Sequence, residues 1–255
     1  MLATGGRSAR ACAAGGKLSW RVALIDSCGS WPGAIDAAAF ESEGARGGDP
    51  EGEGHVVVRR EVVADPTGHG TRIAELLCQD RAFELLLGQV FTRAVLTSSA
   101  AVAAAVEWAL SRRVDLIHLS LGLASDRAVL AAAVLRALEA SCIIIAATPA
   151  RGRVAYPAAY PGVIRATSDA RCAPGELSCL GAWYFGGCPG ERHSGGSSVG
   201  AAWVTHAILD GPAPSPARTA ESAAAGGVSA LTVAALTARA KYFGAERRTS
   251  VQIPR

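Results

Sequence analysis

The chain has 255 residues, half of them apolar and 18% charged, with 29 glycines. That balance belongs to a packed globular body of one or two domains and excludes a mostly disordered chain. A net charge of +3, carried by scattered arginines, offers no stripe for a nucleic-acid backbone, and no apolar stretch nears the roughly 18 residues of a membrane span.

Residues 1–19 are small and polar and read as a flexible arm; one domain is expected over 20–255. Arg7, Arg10 and Lys17 stand in the arm without an apolar core behind them, which argues against a cleavable export signal. Seven cysteines, an odd number, do not form the pattern of a secreted disulfide framework. The expected location is the cytoplasm, with reduced thiols.

In chain order, Val22 to Ile25 is a short apolar run ending in Asp26, a buried strand with a carboxylate at its carboxyl end. Residues 41–54 read as an acidic, Gly-rich solvated loop, and His55 to Val63 as a strand. His69 to Gln79 carries Ile73, Leu76 and Leu77 at helical spacing, and Leu85 to Phe91 is strand-like. Ser98 to Arg112 is an Ala-rich helix, Val114 to Ser120 a strand, and Asp126 to Ala140 a helix with Asp126 as its cap. Strands follow at Cys142 to Ala147 and Val163 to Thr167. Helices are expected at Ser198 to Leu209 and Ser229 to Phe243, joined by a linker over 211–227. Strands alternating with helices predict an α/β fold, a doubly wound and mostly parallel sheet with helices on both faces. Functional groups then collect at the carboxyl ends of the strands.

Three segments carry chemistry. Asp26 supplies a carboxylate, Gly68-His69-Gly70-Thr71 sets an imidazole at a helix start, and Gly196-Ser197-Ser198-Val199 sets a hydroxyl at another. A serine hydroxyl is a weak nucleophile until a histidine takes its proton and a carboxylate fixes that histidine's tautomer. Each piece alone is commonplace; together, in the order Asp, His, Ser, they are specific.

At this point the chain resembles the subtilisin-like serine proteases over roughly residues 20–210. Val22 to Ser27 matches the Asp block of that family, and Gly68 to Leu77 its His block. Val114 to Gly122 matches the substrate-binding strand with its Ser-Leu-Gly, and Tyr156 to Ile164 the Tyr-Pro-Ala-x-Tyr-Pro-x-Val-Ile segment. Gly196 to Ala202 matches the Ser block, usually Gly-Thr-Ser-Met-Ala-Ser-Pro. The resemblance implies Ser198 as nucleophile, His69 as general base then acid, and Asp26 as its orienting partner. It also implies Ser120, Leu121 and Gly122 as the residues that pair with an extended peptide.

The departures are informative. The family's oxyanion Asn is expected where this chain has Ala150, and the sequence contains no Asn at all. The backbone N–H of Ser198 remains as a donor, with Thr148 or Arg151 as substitutes. Cys28 replaces the Gly that usually follows Asp-Ser.

His118 and His206 read first as satisfied core or face histidines, His55 as surface and His193 as a loop residue. Cys172, Cys179 and Cys188 share a loop with His193 at a spacing unlike that of a structural zinc site, so no metal and no cofactor are expected. Cys28 reads as a buried inert thiol.

The expected function is hydrolysis of a peptide bond in a precursor protein, by a dedicated cytoplasmic protease that removes a leader. Few residues precede Asp26, which fits neither a signal nor a folding propeptide. In outline the chain is similar to the leader-cleaving protease of quinohemoprotein amine dehydrogenase maturation, with complexes with other maturation proteins as a further expectation. The alternative is a pseudoprotease that grips an extended peptide without cutting it.

Overall fold

The computed structural model describes residues 19–43, 55–59, 61–93, 96–190, 196–213 and 227–245. The expectations for the arm, for His193, and for most of the acidic loop and the linker lie outside these residues, as does the side chain of His55.

The described strands are β1 (Arg21–Asp26), β2 (Ala34–Glu43), β3 (His55–Arg59), β4 (Glu84–Gln89), β5 (Leu116–Leu119), β6 (Ile143–Ala147), β7 (Ile164–Ser168), β8 (Leu177–Gly181), β9 (Tyr184–Gly187) and β10 (Tyr242–Phe243). The helices are α1 (His69–Leu77), α2 (Ser99–Ser111), α3 (Ala128–Glu139), α4 (Ser197–Leu209) and α5 (Val228–Arg239). The strands form one ten-stranded sheet in the order β10-β8-β9-β7-β6-β5-β1-β4-β2-β3. Only β2 with β3 and β8 with β9 run antiparallel. The fold is α/β, with a mostly parallel sheet.

β1 shows why its residues are apolar on both sides. Val22 and Leu24 pack with Ile73 and Leu77 of α1 and Val204 of α4, on one face. Ala23 and Ile25 face the other way, against Val102 and Val106 of α2 and Leu130 of α3. A strand buried on both faces loses the alternation that a half-exposed strand would show. α2 begins where Ser98 Oγ accepts the Ala101 N–H at 3.0 Å, an ordinary N-cap.

Four local expectations need correction. β2 runs into residues 41–43, expected to start a solvated loop; its Ala and acidic residues have weak strand propensity, and pairing with β4 over Ala34 to Ala39 and with β3 over Ala39 to Glu43 holds it extended. β8 and β9 form a hairpin where a cysteine-bearing loop was expected, with Cys179 on β8 and Cys172 and Cys188 buried beside it. α3 is capped at Arg127 rather than at Asp126, whose carboxylate instead accepts the Tyr160 hydroxyl at 2.8 Å. α5 stops at Arg239, because Ala240 turns extended and the Lys241 N–H is donated to Leu177 O at 2.8 Å, which starts β10.

Candidate active site

Asp26 ends β1, the strand between β4 and β5, and is almost fully buried. Its carboxylate accepts the Ser27 N–H at 2.6 Å and the Ser27 hydroxyl at 3.2 Å. It also accepts from His69 Nδ1, at 2.9 Å to one oxygen and 3.0 Å to the other. With Nδ1 so engaged, Nε2 is the nitrogen left to exchange a proton with a reactant. The bond from Asp26 raises the His69 pKa above its ordinary value of 6.5, although partial burial works against the charge.

The imidazole is delivered by the start of α1, which lies hard against the segment after β1. A Cβ on Gly70 would sit 2.9 Å from both Ser27 N and Cys28 Cβ, so only glycine allows this approach. The Gly70 N–H is donated to Ser27 Oγ at 2.9 Å, which ties the helix to the residue beside Asp26. Burial pushes the Cys28 thiol pKa up, which keeps it in the inert protonated form.

Two further residues hold this corner, and the sequence reading missed both. Asp65 accepts N–H bonds from Thr67 at 3.0 Å, Gly68 at 2.8 Å and Thr71 at 2.8 Å, and the Thr71 hydroxyl at 2.6 Å. Partial burial opposes its charge, but the bonds from Thr71 and Thr67 outweigh it and hold the carboxyl well below the usual range. Its signal in the sequence is an Asp ahead of Thr-Gly at a helix start. Gln89, fully buried at the end of β4, donates to Ser27 O at 2.8 Å and Val63 O at 2.9 Å and accepts the Val63 N–H at 2.9 Å. It carries the same signal as Asp26, a polar residue closing an apolar strand.

Ser198 stands in the first turn of α4, whose entrance is fastened to the end of β7. Ser168 Oγ donates to Gly196 O at 2.6 Å, and Thr167 Oγ1 and Ser197 Oγ lie 3.2 Å apart. A Cβ on Gly200 would collide with the Thr167 and Ser168 backbone, so glycine lets the helix close on the strand. The Ser198 hydroxyl is donated to Ser120 O at 3.1 Å. The Val199 N–H is donated to Gly196 O at 3.0 Å, whereas the N–H groups of Ser197 and Ser198, ahead of it in the first turn, lie at the positive end of the helix dipole, which favours negative charge.

A groove of about 430 Å³ runs across the carboxyl ends of β1 and β5. Asp26 and His69 line one part of it, and Ser120, Leu121 and Gly122 another, with Phe91 and Leu123 adding apolar surface. Leu123 pairs with Tyr156 through N–H bonds of 2.8 and 2.9 Å, which holds the segment after β5 extended. The structure thus brings Asp26 and His69 into direct contact, and joins Ser198 to the same groove through Ser120.

No family model matches the chain. A protein named subtilisin-like protease het-Q2, from Podospora anserina, is 37% identical over 128 residues, which is 46% of this chain and 33% of that protein. A thermostable alkaline protease of Halalkalibacterium halodurans is 34% identical over 112 residues, 39% of this chain and 31% of that protein. Over these stretches the chain is similar to proteins named as a subtilisin-like protease and an alkaline protease. It matches about a third of the length of each of these two relatives. Among solved structures it is similar to the prenylagaramide maturation protease PagA, with 16% identity and a TM-score of 0.47 over 74% of this chain and 73% of that one. A mutant of the protease domain of PatA gives 18% identity and a TM-score of 0.48 over 74% and 78% of the two chains.

The positions that the sequence offers for stabilising an oxyanion differ in environment. Ala150 is exposed in the loop after β6 and offers only a methyl group. Thr148 is buried, and its hydroxyl has no partner among the described residues. Arg151 is exposed in the same loop.

Proposed function

We propose that this subtilisin-like chain is a serine endopeptidase, with Ser198 as nucleophile, His69 as general base and then acid, and Asp26 as the group that orients His69. The observation that carries this reading is the two-oxygen grip of a buried carboxylate on His69 Nδ1. That grip fixes the tautomer in which Nε2 accepts a proton, and it stabilises the imidazolium once formed. Rotation of the Ser198 side chain away from Ser120 O turns its hydroxyl toward the base as a substrate enters. An extended peptide lies along Ser120, Leu121 and Gly122 by strand addition, with its scissile carbonyl over the first turn of α4. Attack of Oγ on that carbonyl forms the C–O bond and passes the hydroxyl proton to His69. The oxyanion meets the Ser198 N–H and the helix dipole. His69 then gives its proton to the departing amine, and water repeats the sequence to release the acyl group.

The finer reading is a dedicated cytoplasmic protease that removes a leader from one precursor, of which the quinohemoprotein amine dehydrogenase small subunit is the type we favour. Ala150 supports narrow specificity, since a site short of one oxyanion donor leans more heavily on substrate binding. The test is labelling by a fluorophosphonate, which reacts only with an activated serine. Rapid labelling of the parent and none of Ser198→Ala is the expected result; equal labelling of both removes Ser198 from the mechanism. Ready digestion of unfolded casein would replace the dedicated reading with a general one. The second reading, a pseudoprotease, draws on the Ser198 hydroxyl being held by Ser120 O. A folded parent that resists the fluorophosphonate yet binds extended peptides would establish it.

A further inference from the structure

We infer that His118 is a positioning residue, which sets the Ser198 hydroxyl from the core between β5 and α4 through Ser120; the inference rests on the serine-peptidase reading. His118 is fully buried in β5, paired with Leu24 of β1 and Ile145 of β6 in a run of apolar strands. A polar ring in such a place is costly unless both nitrogens are hydrogen-bonded. Both are. Nδ1 lies 2.8 Å from Thr205 Oγ1 of α4, and Nε2 lies 2.6 Å from Ser120 Oγ. Ser120 in turn accepts the Ser198 hydroxyl on its carbonyl at 3.1 Å.

The four residues close a circuit between one strand and one helix. Ser198 and Thr205 are separated by about two turns of α4 and share a face, roughly 10.5 Å apart along the axis. His118 and Ser120 share a face of the β5 segment at roughly 6.6 Å. The two spans do not match, and the imidazole bridges the difference. Thr205 holds one side of the ring and Ser120 the other, so the helix that carries Ser198 and the strand end whose carbonyl accepts its hydroxyl bond keep one register. Burial pushes the His118 pKa down to about 3, so the ring is neutral at working pH, with one nitrogen donating and the other accepting. Either order of donors satisfies the whole circuit, provided that residue 205 carries a hydroxyl.

Thr205→Val keeps the shape of the side chain and removes that hydroxyl, and Thr205→Ser keeps the hydroxyl and removes the methyl. The experiment measures fluorophosphonate labelling of the full chain, separating the maximal rate of phosphonylation from the half-saturating concentration. For Thr205→Val we expect a maximal rate lower by about tenfold, less than the ~10²-fold that a ~1 Å misplacement of a reacting group costs, with half-saturation within about twofold. Thr205→Ser should restore the rate. A purely structural role would lower thermal stability in both variants and leave the maximal rate of the folded fraction unchanged, which overturns the inference. Should Thr205→Val fail to fold, His118→Gln takes its place: its amide reaches Ser120 without needing Thr205. His118→Gln should exceed His118→Leu in maximal rate, and equality of the two refutes the inference. A parent that does not label at all refutes the peptidase reading instead.

Discussion

Replacing Gly70 by alanine tests how Asp26 and His69 are held together. The new Cβ would lie 2.9 Å from Ser27 N and Cys28 Cβ and nearer still to Cys28 N, all in the segment that follows Asp26. Non-bonded heavy atoms rest about 3.5–4.0 Å apart, so α1 must retreat from β1 by about 1 Å. The Nδ1 bonds to Asp26, now 2.9 and 3.0 Å, would stretch beyond hydrogen-bond range. A displacement of that size misaligns the base and lowers the rate by about 10²-fold. Overpacking adds about 1–3 kcal/mol of destabilisation. There is also a signature in the pH profile. Asp26 raises the His69 pKa in the parent, and the reaction needs the neutral ring, so the parent loses activity as the pH falls through that raised value. With Asp26 withdrawn the pKa falls back, and the acid limb of Gly70→Ala moves to lower pH. The rate deficit is therefore widest at high pH and narrows toward acid. The assay is the second-order rate of fluorophosphonate labelling across the titration of His69, with thermal unfolding measured alongside. A folded Gly70→Ala protein with the parental rate and an unmoved acid limb would refute the reasoning.

Ala150→Asn should supply an amide donor near the developing oxyanion and raise single-turnover cleavage by about tenfold, or about 1.4 kcal/mol. No gain in a reactive protein would mean that the loop directs residue 150 elsewhere; Thr148→Val then decides whether the buried Thr148 hydroxyl is the donor, and an unchanged rate removes it. Burial pushes His118 and His206 down to about 3 and about 4, whereas both protonate near 6.5 in the unfolded chain. Their contribution to stability is therefore whole above 6.5 and is lost as the pH falls from there toward 4, at up to about 1.4 kcal/mol per pH unit for each histidine. The raised His69 acts in the opposite sense, with its stabilisation complete below 6.5 and lost as the pH rises through its folded value. Urea midpoints across this range should fall toward acid, and a flat profile would show that the two rings are not desolvated.

The alternation of apolar runs with amphipathic stretches made the central sheet legible, because strands buried on both faces and their crossover helices leave strong local patterns. Asp26 and His69 were legible too, each marked by its place at an element's end. β2 was not, because its extended form depends on β4 and β3 rather than on its own Ala and acidic residues. The hairpin of β8 and β9 was hidden by short, glycine-containing strands. His118 looked like an ordinary core histidine. Its partner Thr205 lies 87 positions further along the chain, and no local pattern announces such a bond.

The helices that carry His69 and Ser198 also meet at their far ends, where His206 of α4 donates from Nε2 to Leu76 O of α1 at 2.6 Å. That contact acts as a pivot. His69 and Ser198 sit at the tips of two arms, each about 10–12 Å long from the rise of the helix. A splay of about 5° at the pivot moves a tip by about 1 Å, the displacement that costs a reaction about 10²-fold. The bond at His206 touches neither the groove nor Asp26, yet leverage makes it a determinant of how steadily the tips that bear His69 and Ser198 keep their separation. Warming that loosens this end of the helix pair would then reduce turnover before the sheet itself begins to unfold.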